Sequence, residues 1–520
     1  MGELSPTQGH SRPVWFWTER VLSWLVIGLA GLNLMGLSVL MALRARYPFE
    51  LEWIEGAAAN SSQWILAGHS LYEQPRLEFT PLLYGPLFFY LSAAVTALTG
   101  PGFLAARLVS ILATVGCWWM IYVLVRRETG SVLGGIAAAG FYAATFKVTG
   151  AWMDVARSDS LLVFFLLLAA GMARDAKRGG RAAAFWCAVV LALAYFTKQS
   201  ALPFFIAWGG FYLLESKREW VIFWPAAAVL TVGVTQLIDV LSGGWFSFYT
   251  WYVVSQHILD AERIRAFWMM DLFGHVPLAL IGAVGALALL GNPFRISPEG
   301  SRSRFYLAFT AGALVVSWWN RAAAGAHTNT LMPIMACLGV LLGLMIGWPK
   351  PAHMHPWLQP VALLLVVVQF LMLVYDPSTV LPSGRDERAG RDMLALIRSY
   401  PGGVFIPAHS YYTALVGKPT YVHWATMTDT SGLWDTDLDV QHGRQNDPRR
   451  QIILDEVKAA VAGQRFDAII LDDIPKELDA YWNDLLSPYY RLEGKIFEEP
   501  DVFWTVSGAA KRPQLIYVRK

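Results

Sequence analysis

Long apolar runs separated by short polar breaks occupy the first three-quarters of the chain, and their lengths suit helices that cross a bilayer or lie inside a helical bundle. Eleven such runs are legible, near Val21–Leu43, Leu108–Val125, Val132–Phe146, Leu161–Ala173, Ala182–Phe196, Ala201–Leu214, Trp220–Val240, Val276–Leu290, Phe305–Trp319, Leu331–Gly347 and Trp357–Tyr375. The additional apolar stretch Pro81–Leu98 is expected to lie in the interface or dip into it, because a full crossing there would reverse the sidedness of everything that follows. With that parity, Arg126-Arg127, the loop holding Arg174, Lys177, Arg178 and Arg181, Lys217-Arg218 and Arg295/Arg302/Arg304 share one side with the N-terminus. The excess of cations makes that side cytoplasmic. The loop 44–107, the Leu241–Phe273 and Arg321–Thr330 segments and the C-terminal tail then face outward.

From Asp376 onward the pattern changes, with frequent charges and apolar runs of strand length. Asp392–Ser399 and Arg449–Ala462 carry helical periodicity, while Gly403–Pro407, Asp467–Leu471 and Leu515–Val518 read as buried strands. The expectation is a polytopic α-helical membrane domain over residues 1–375, followed by a soluble, extracytoplasmic α/β domain over 376–520. The acidic pairs Asp472-Asp473 and Glu498-Glu499 of that tail fit solvated turn charges.

Composition supports the membrane assignment. Apolar residues make up 55% of the chain and charged residues 15%, with 23 Trp and a mean hydropathy of +0.41, which is too apolar for an ordinary soluble enzyme. A net charge of +2 spread over short loops gives no basic patch for nucleic acid. Cys117, Cys187 and Cys337 all fall inside apolar runs and read as small buried hydrophobes. The N-terminal stretch is expected to lead into a retained span, since the run after it is too long for a signal-peptide core.

Ionisable groups at membrane depth are costly and tend to face a water-filled functional cavity. Glu50, Glu52 and Glu55 follow the first apolar run, and Asp154, Arg157 and Asp159 sit between two later ones. A partly desolvated carboxylate can act as a general base toward a hydroxyl or amine. Glu52 and Glu55, three residues apart, would share a helical face as a pair or as base and orienter; the plainer reading is an interfacial turn with incidental acids. The second cluster equally fits a self-neutralising network. Arg107, Lys147, Lys198, Arg263, Arg265 and Arg321 have the charge to meet a lipid-linked phosphate, and Lys198, in Thr197-Lys-Gln199 directly after an apolar helix, is the sharpest of them, against a snorkelling alternative. His69, His257, His275 and His327 lack metal-ligand spacing, so no metal ligands are assigned, and a divalent cation stays open as a cofactor. The aromatic run Trp245–Tyr252 suits either an interfacial belt or stacking on sugar faces.

In combination, several motifs resemble the GT-C glycosyltransferases, in particular the branch similar to protein O-mannosyltransferases and the aminoarabinose transferase of lipid A. They are the Glu-Gly pair at Glu55, Gly68-His-Ser-Leu-Tyr72, Tyr84-Gly-Pro-Leu-Phe-Phe-Tyr90, Ala106-Arg-Leu-Val-Ser110, Arg126-Arg-Glu-Thr-Gly130, Ala156-Arg-Ser-Asp-Ser-Leu161 and Thr197-Lys-Gln199, within about residues 15–375. The resemblance implies transfer of a sugar from a polyprenyl-phosphate donor to a glycan, lipid or protein acceptor outside the cytoplasm, with inversion, in a bacterial inner membrane. It implies a catalytic acid in the first outer loop, commonly Asp followed by Glu. Ile54 precedes Glu55 here, which leaves that role divided between Glu55 and Glu52. Asp159 matches the second acidic motif with Arg157 beside it, and Lys198 falls where relatives carry basic residues near the lipid phosphate; with the residues read from charge and position, the expected substrate-binding set is Lys198, Arg157, Asp154, Gln199, Arg107, Arg321, Tyr84 and His327. A transporter or flippase would share the polytopic pattern, but such proteins often carry inverted repeats, and no internal symmetry is visible here.

Overall fold

The computed structural model describes residues 13–174, 176–348, 355–433, 447–472 and 476–520. Asp473 lies outside them, as do the side chains of Lys177 and Arg178.

The chain is mostly helical. The elements that build the site are α1 (Val14–Ala45), α2 (Glu55–Leu66), α3 (Leu87–Thr99), α4 (Leu104–Thr129), α5 (Val132–Ala144), α6 (Asp159–Arg174) and α7 (Ala176–Thr197). Further helices at Lys217–Ala228, Pro277–Leu289, Pro298–Ala322, Met332–Gly347 and Leu358–Met372 complete the bundle. The Met332–Gly347 helix is buried from Met332 to Ile346, as expected of a helix that is apolar on every side. Glycines let its neighbours approach: a Cβ on Gly343 would stand 2.6 Å from the Gly134 carbonyl oxygen, and one on Gly140 of α5 would stand 2.4 Å from Ala30 Cβ of α1. Small residues at such contacts are how membrane helices gain packing where lipid removes the hydrophobic drive. The outer face of α1, by contrast, exposes Trp17, Val21, Trp24, Leu32, Met35 and Leu43. An apolar exterior of this kind belongs against lipid chains, and the protein is integral to a membrane.

Five helices among the described residues are long and apolar enough to cross a bilayer unaided, or up to seven if each of two bent pairs counts as one span. The expectation of eleven spans is not met by that measure. The difference lies in elements such as α5 and α6, of 13 and 16 residues, which fall short of the roughly 20 a lone span needs. The stretch Pro81–Leu98 contains α3, whose 13 residues extend only about 20 Å at 1.5 Å per residue. That is shorter than the hydrocarbon core.

Toward the C-terminus a helix at Gly384–Ser399 with a Ser383/Asp386 capping box precedes a four-stranded sheet. The strands are β1 (Gly403–Phe405), β2 (Phe466–Asp472), β3 (Tyr490–Lys495) and β4 (Pro513–Arg519), in the order β1-β2-β4-β3, with β1 and β2 parallel and the other pairs antiparallel. The sequence pattern missed β3. It is an edge strand whose central Arg491, Leu492 and Glu493 are exposed, so it lacks the apolar alternation that marks the other three. One further expectation is corrected: Asp472, read as a solvated turn charge, is 5% exposed at the end of β2, whereas Glu499 is exposed and paired with Arg385.

Candidate active site

The loop between α1 and α2 carries three carboxylates, and each faces a different cation. Glu55 opens α2 and is fully buried. Arg107 of α4 grips both of its oxygens, at 2.9 Å to Oε1 and 2.6 Å to Oε2, while the backbone N–H groups of Ala156 and Leu51 each donate to it at 2.7 Å. Burial alone would raise its pKa, but the Arg107 charge and these four bonds outweigh that and hold it below the usual carboxylate range. Glu55 is therefore a fixed anion.

Glu52 is equally buried and differently served. Its Oε2 accepts from Arg157 Nη1 at 3.1 Å and from the Ile54 N–H at 3.2 Å, while Oε1 has no hydrogen-bond partner among the described residues. Burial pushes its pKa up to about 7 against the pull of Arg157. A carboxylate with one free oxygen and a pKa near neutrality is suited to accept a proton. Glu50 turns the other way and pairs with His409 Nδ1, whose Nε2 lies 3.2 Å from Asp472 Oδ1. Burial would lower the His409 pKa, but Asp472 and Glu50 raise it to about 10, so the ring holds its proton between the two carboxyl groups; burial also raises Glu50, whose Oε1 has no hydrogen-bond partner among the described residues, to about 7.

Arg157 links the two acidic clusters. Its Nη2 donates to Tyr84 Oη at 3.0 Å, and its guanidinium lies over the rings of Trp152 and Tyr84 at 5.4 and 5.6 Å. Lys198 Nζ sits 5.0 Å above the same Tyr84 ring and 2.7 Å from Asp159 Oδ1. Asn329 Nδ2 also donates to that oxygen, at 3.0 Å, and Asp159 Oδ2 has no hydrogen-bond partner among the described residues. Asp159, Lys198, Ser200, Asn320, Asn329 and Thr330 line a narrow recess. Glu52, Arg157, Tyr84, Lys198 and Asp159 thus form one continuous polar cluster, although they come from four separate stretches of sequence.

Other expected site residues are committed elsewhere. All the N–H groups of Arg107 are engaged, by Glu55 and by the carbonyls of Arg44, Tyr47 and Phe49, which leaves none for a phosphate. Asp154 forms a buried pair with Arg44 at 2.7 Å. Gln199 Nε2 donates to the Leu83 and Thr250 carbonyls, and its Oε1 is buried without a partner. Arg321 pairs with Asp271 at 2.8 Å, and both Arg321 and Arg263 donate to the Ala326 carbonyl next to His327. His327 stacks on Trp152 at 5.7 Å; burial, with Arg157, Arg263, Arg321 and Lys511 around it, lowers its pKa to about 4. His69 stacks on Trp64, and no group of three or more His, Cys, Asp or Glu able to hold a metal ion occurs among the described residues. The Trp245–Tyr252 run is partly interior: Phe246, Phe248 and Tyr249 are buried, while Trp251 and Tyr252 line an open cleft with Asp239 and Arg449.

Residues 81–242 match a family model described as dolichyl-phosphate-mannose-protein mannosyltransferase. Over nearly the whole chain the structure is similar to ArnT from Cupriavidus metallidurans in the apo state, with 13% identity, a TM-score of 0.57 and coverage of 94% of this chain and 98% of that one. The same enzyme bound to undecaprenyl phosphate aligns with a TM-score of 0.55, again at 13% identity and with the same coverage. The apo oligosaccharyltransferase of Archaeoglobus fulgidus aligns at 10% identity and a TM-score of 0.51, covering 93% of this chain and 73% of that one. The chain has the GT-C fold. Its similarity to the mannosyltransferase family is carried by residues 81–242, and the fold is the one ArnT shares. No curated protein matches by sequence.

Within this GT-C chain, several residues of the site escaped the sequence reading. Arg44 directly follows the Val21–Leu43 run, and a cation there runs against the charge bias expected for that end of α1, which was a usable signal. Trp152 and Asn329 had no signal, because neither residue type is unusual beside a span. His409, Ser507 and Gly508 lie more than 350 residues from the loop they touch, and only folding brings them there.

Proposed function

We propose that this protein moves a sugar from a polyprenyl-phosphate donor to a glycan, lipid or protein acceptor on the extracytoplasmic face of a bacterial inner membrane. The observation that carries the reading is Glu52, whose free oxygen and pKa near 7 stand beside the Arg157, Tyr84 and Lys198 cluster. In the reaction the acceptor oxygen or nitrogen forms a bond to the anomeric carbon and gives its proton to Glu52. The bond from that carbon to the phosphate oxygen breaks, and its electron pair leaves with polyprenyl phosphate. Attack opposite the leaving group inverts the anomeric centre. Arg157, paired with Glu52, and Lys198, over the same Tyr84 ring that Arg157 meets, carry the role of meeting the departing phosphate. Asp159 and Asn329 hold Lys198 in place. Glu55 and Arg107 fix the loop, Asp154 ties α1 to the 145–158 segment through Arg44, and none of these three contacts the donor. The undecaprenyl phosphate bound by ArnT in the same fold supports a lipid-phosphate donor, and the residues after Asp376 form an outward-facing unit in this reading.

The test is transfer by the full chain reconstituted in lipid, with a panel of polyprenyl-phosphate sugars. At least one donor should turn over and release polyprenyl phosphate. Lys198→Ala should weaken binding of undecaprenyl phosphate by about 2–5 kcal/mol, the usual loss when one partner of a buried charge pair is truncated. Unchanged affinity would move the phosphate away from Lys198, and no turnover of any donor would remove the reading.

A further inference from the structure

The loops that carry Glu52 and Arg157 are bound to each other by a short segment near the C-terminus. The N–H groups of Val506 and Ser507 both donate to the carbonyl of Leu51, the residue before Glu52, at 3.0 and 2.9 Å. The next N–H, of Gly508, donates to the Gly150 carbonyl at 3.1 Å, and Ser507 Oγ donates to the Ala151 carbonyl at 2.8 Å while accepting from Arg44 Nη2 at 2.7 Å. Gly508 has φ of +64°, and a Cβ there would stand 2.4 Å from Trp152 Cζ3 and 3.4 Å from Glu52 Cγ. Trp152 is the ring on which Arg157 lies. Three consecutive residues therefore hold the backbone behind Glu52, the backbone leading to Arg157, and the side chain that supports Arg157.

Resting on the transferase reading above, we propose that Ser507 and Gly508 are positioning residues that set the Glu52–Arg157 geometry, so that the C-terminal part of the chain completes the active site in cis. They touch neither substrate nor the reacting atoms. Their effect passes through the separation of the base from its cation and through the place of Trp152. Glycine is required at 508 because both the left-handed backbone and the space against Trp152 exclude a side chain.

The test reads Glu52 directly and needs no sugar donor. Dicyclohexylcarbodiimide modifies protonated carboxyls in apolar surroundings, and its labelling of Glu52 in the full-length protein can be followed against pH by peptide mass spectrometry. The groups facing Glu52 are Arg157 from the 145–158 segment, Glu50 and Glu55 on its own loop, and, from the C-terminal part, His409 behind Glu50 and Lys511 over the Trp53 ring. In the wild type half-labelling is expected near pH 7. Gly508→Ala and Ser507→Ala loosen Arg157, the cation paired with Glu52, so the midpoint should move up by about 1 to 3 pH units. In transfer assays the same change lowers kcat, about a hundredfold for a displacement near 1 Å, with KM for the donor unchanged. A purely structural role would lower the yield of folded protein and scale the labelling without moving its midpoint. If both variants fold and label with the wild-type midpoint, the proposal is overturned; if Gly508→Ala does not accumulate, Ser507→Ala decides alone. Failure of the transferase reading would show separately, as no turnover of any polyprenyl-phosphate sugar by the wild-type protein.

Discussion

Glu52→Gln is expected to slow sugar transfer by about 10²–10⁴-fold, the range over which a positioned general base contributes, while undecaprenyl phosphate binds as before. The amide keeps the size of the side chain and its one oxygen can still accept from Arg157 and the Ile54 N–H, but the NH2 that replaces the free oxygen takes no proton at neutral pH. Single-turnover measurements with the donor that supports transfer read this directly. The wild-type rate should also fall on the acid side near pH 7, because the base must be ionised and burial has raised its pKa to about that value. Glu52→Gln should lose this limb. Rates close to wild type at every pH would show that the proton leaves by another route, and the assignment of Glu52 would have to be withdrawn.

Arg107→Ala should cost about 3–5 kcal/mol of stability, because it leaves the Glu55 carboxylate at 0% exposure without its cation. Three backbone carbonyls of the 44–49 segment lose their donor in the same step. Arg107→Lys should rescue little, since an ammonium has three donors where the guanidinium uses its whole fork. The measurement is a thermal melt in detergent beside an undecaprenyl phosphate titration of the folded fraction. A variant that melts like the wild type but has lost its affinity for the lipid phosphate would return Arg107 to the donor site, the place its outward charge alone suggests. Loss of stability with affinity retained in the folded fraction would fix it as the clamp on Glu55.

Lipid environment and chemistry together made much of this protein legible in one dimension. A membrane span must be apolar over a long stretch and must satisfy its backbone internally, so hydropathy marks helices such as Val14–Ala45 and Leu104–Thr129 directly. Charges between such runs are rare enough to mark a site, which is why Glu52, Glu55, Arg157, Asp159 and Lys198 stand out in the sequence alone. Strands β1, β2 and β4 were visible for a related reason, since their buried apolar runs are short and bounded by turn residues.

Sequence spacing could not distribute the roles among those residues. Glu52 and Glu55 are both buried carboxylates three positions apart, and only tertiary structure gives Glu55 four hydrogen bonds and leaves an oxygen of Glu52 free. Arg107 and Lys198 are both cations expected on the same side of the membrane, yet one is consumed by Glu55 and backbone carbonyls and the other stands in the recess. The number of helices long enough to span was equally beyond the pattern, because a bundle shelters elements such as α5 that a lone helix could not supply. His409 and the Val506–Gly508 segment reach the loops that carry Glu50, Glu52 and Trp152 across more than 350 residues. A contact at that separation leaves no local trace in composition or periodicity, since the partners are chosen by the folded surfaces that bring them together. The sequence by itself determined that charged residues cluster at the ends of apolar helices; the fold decided how each carboxylate is held and which residues hold it there.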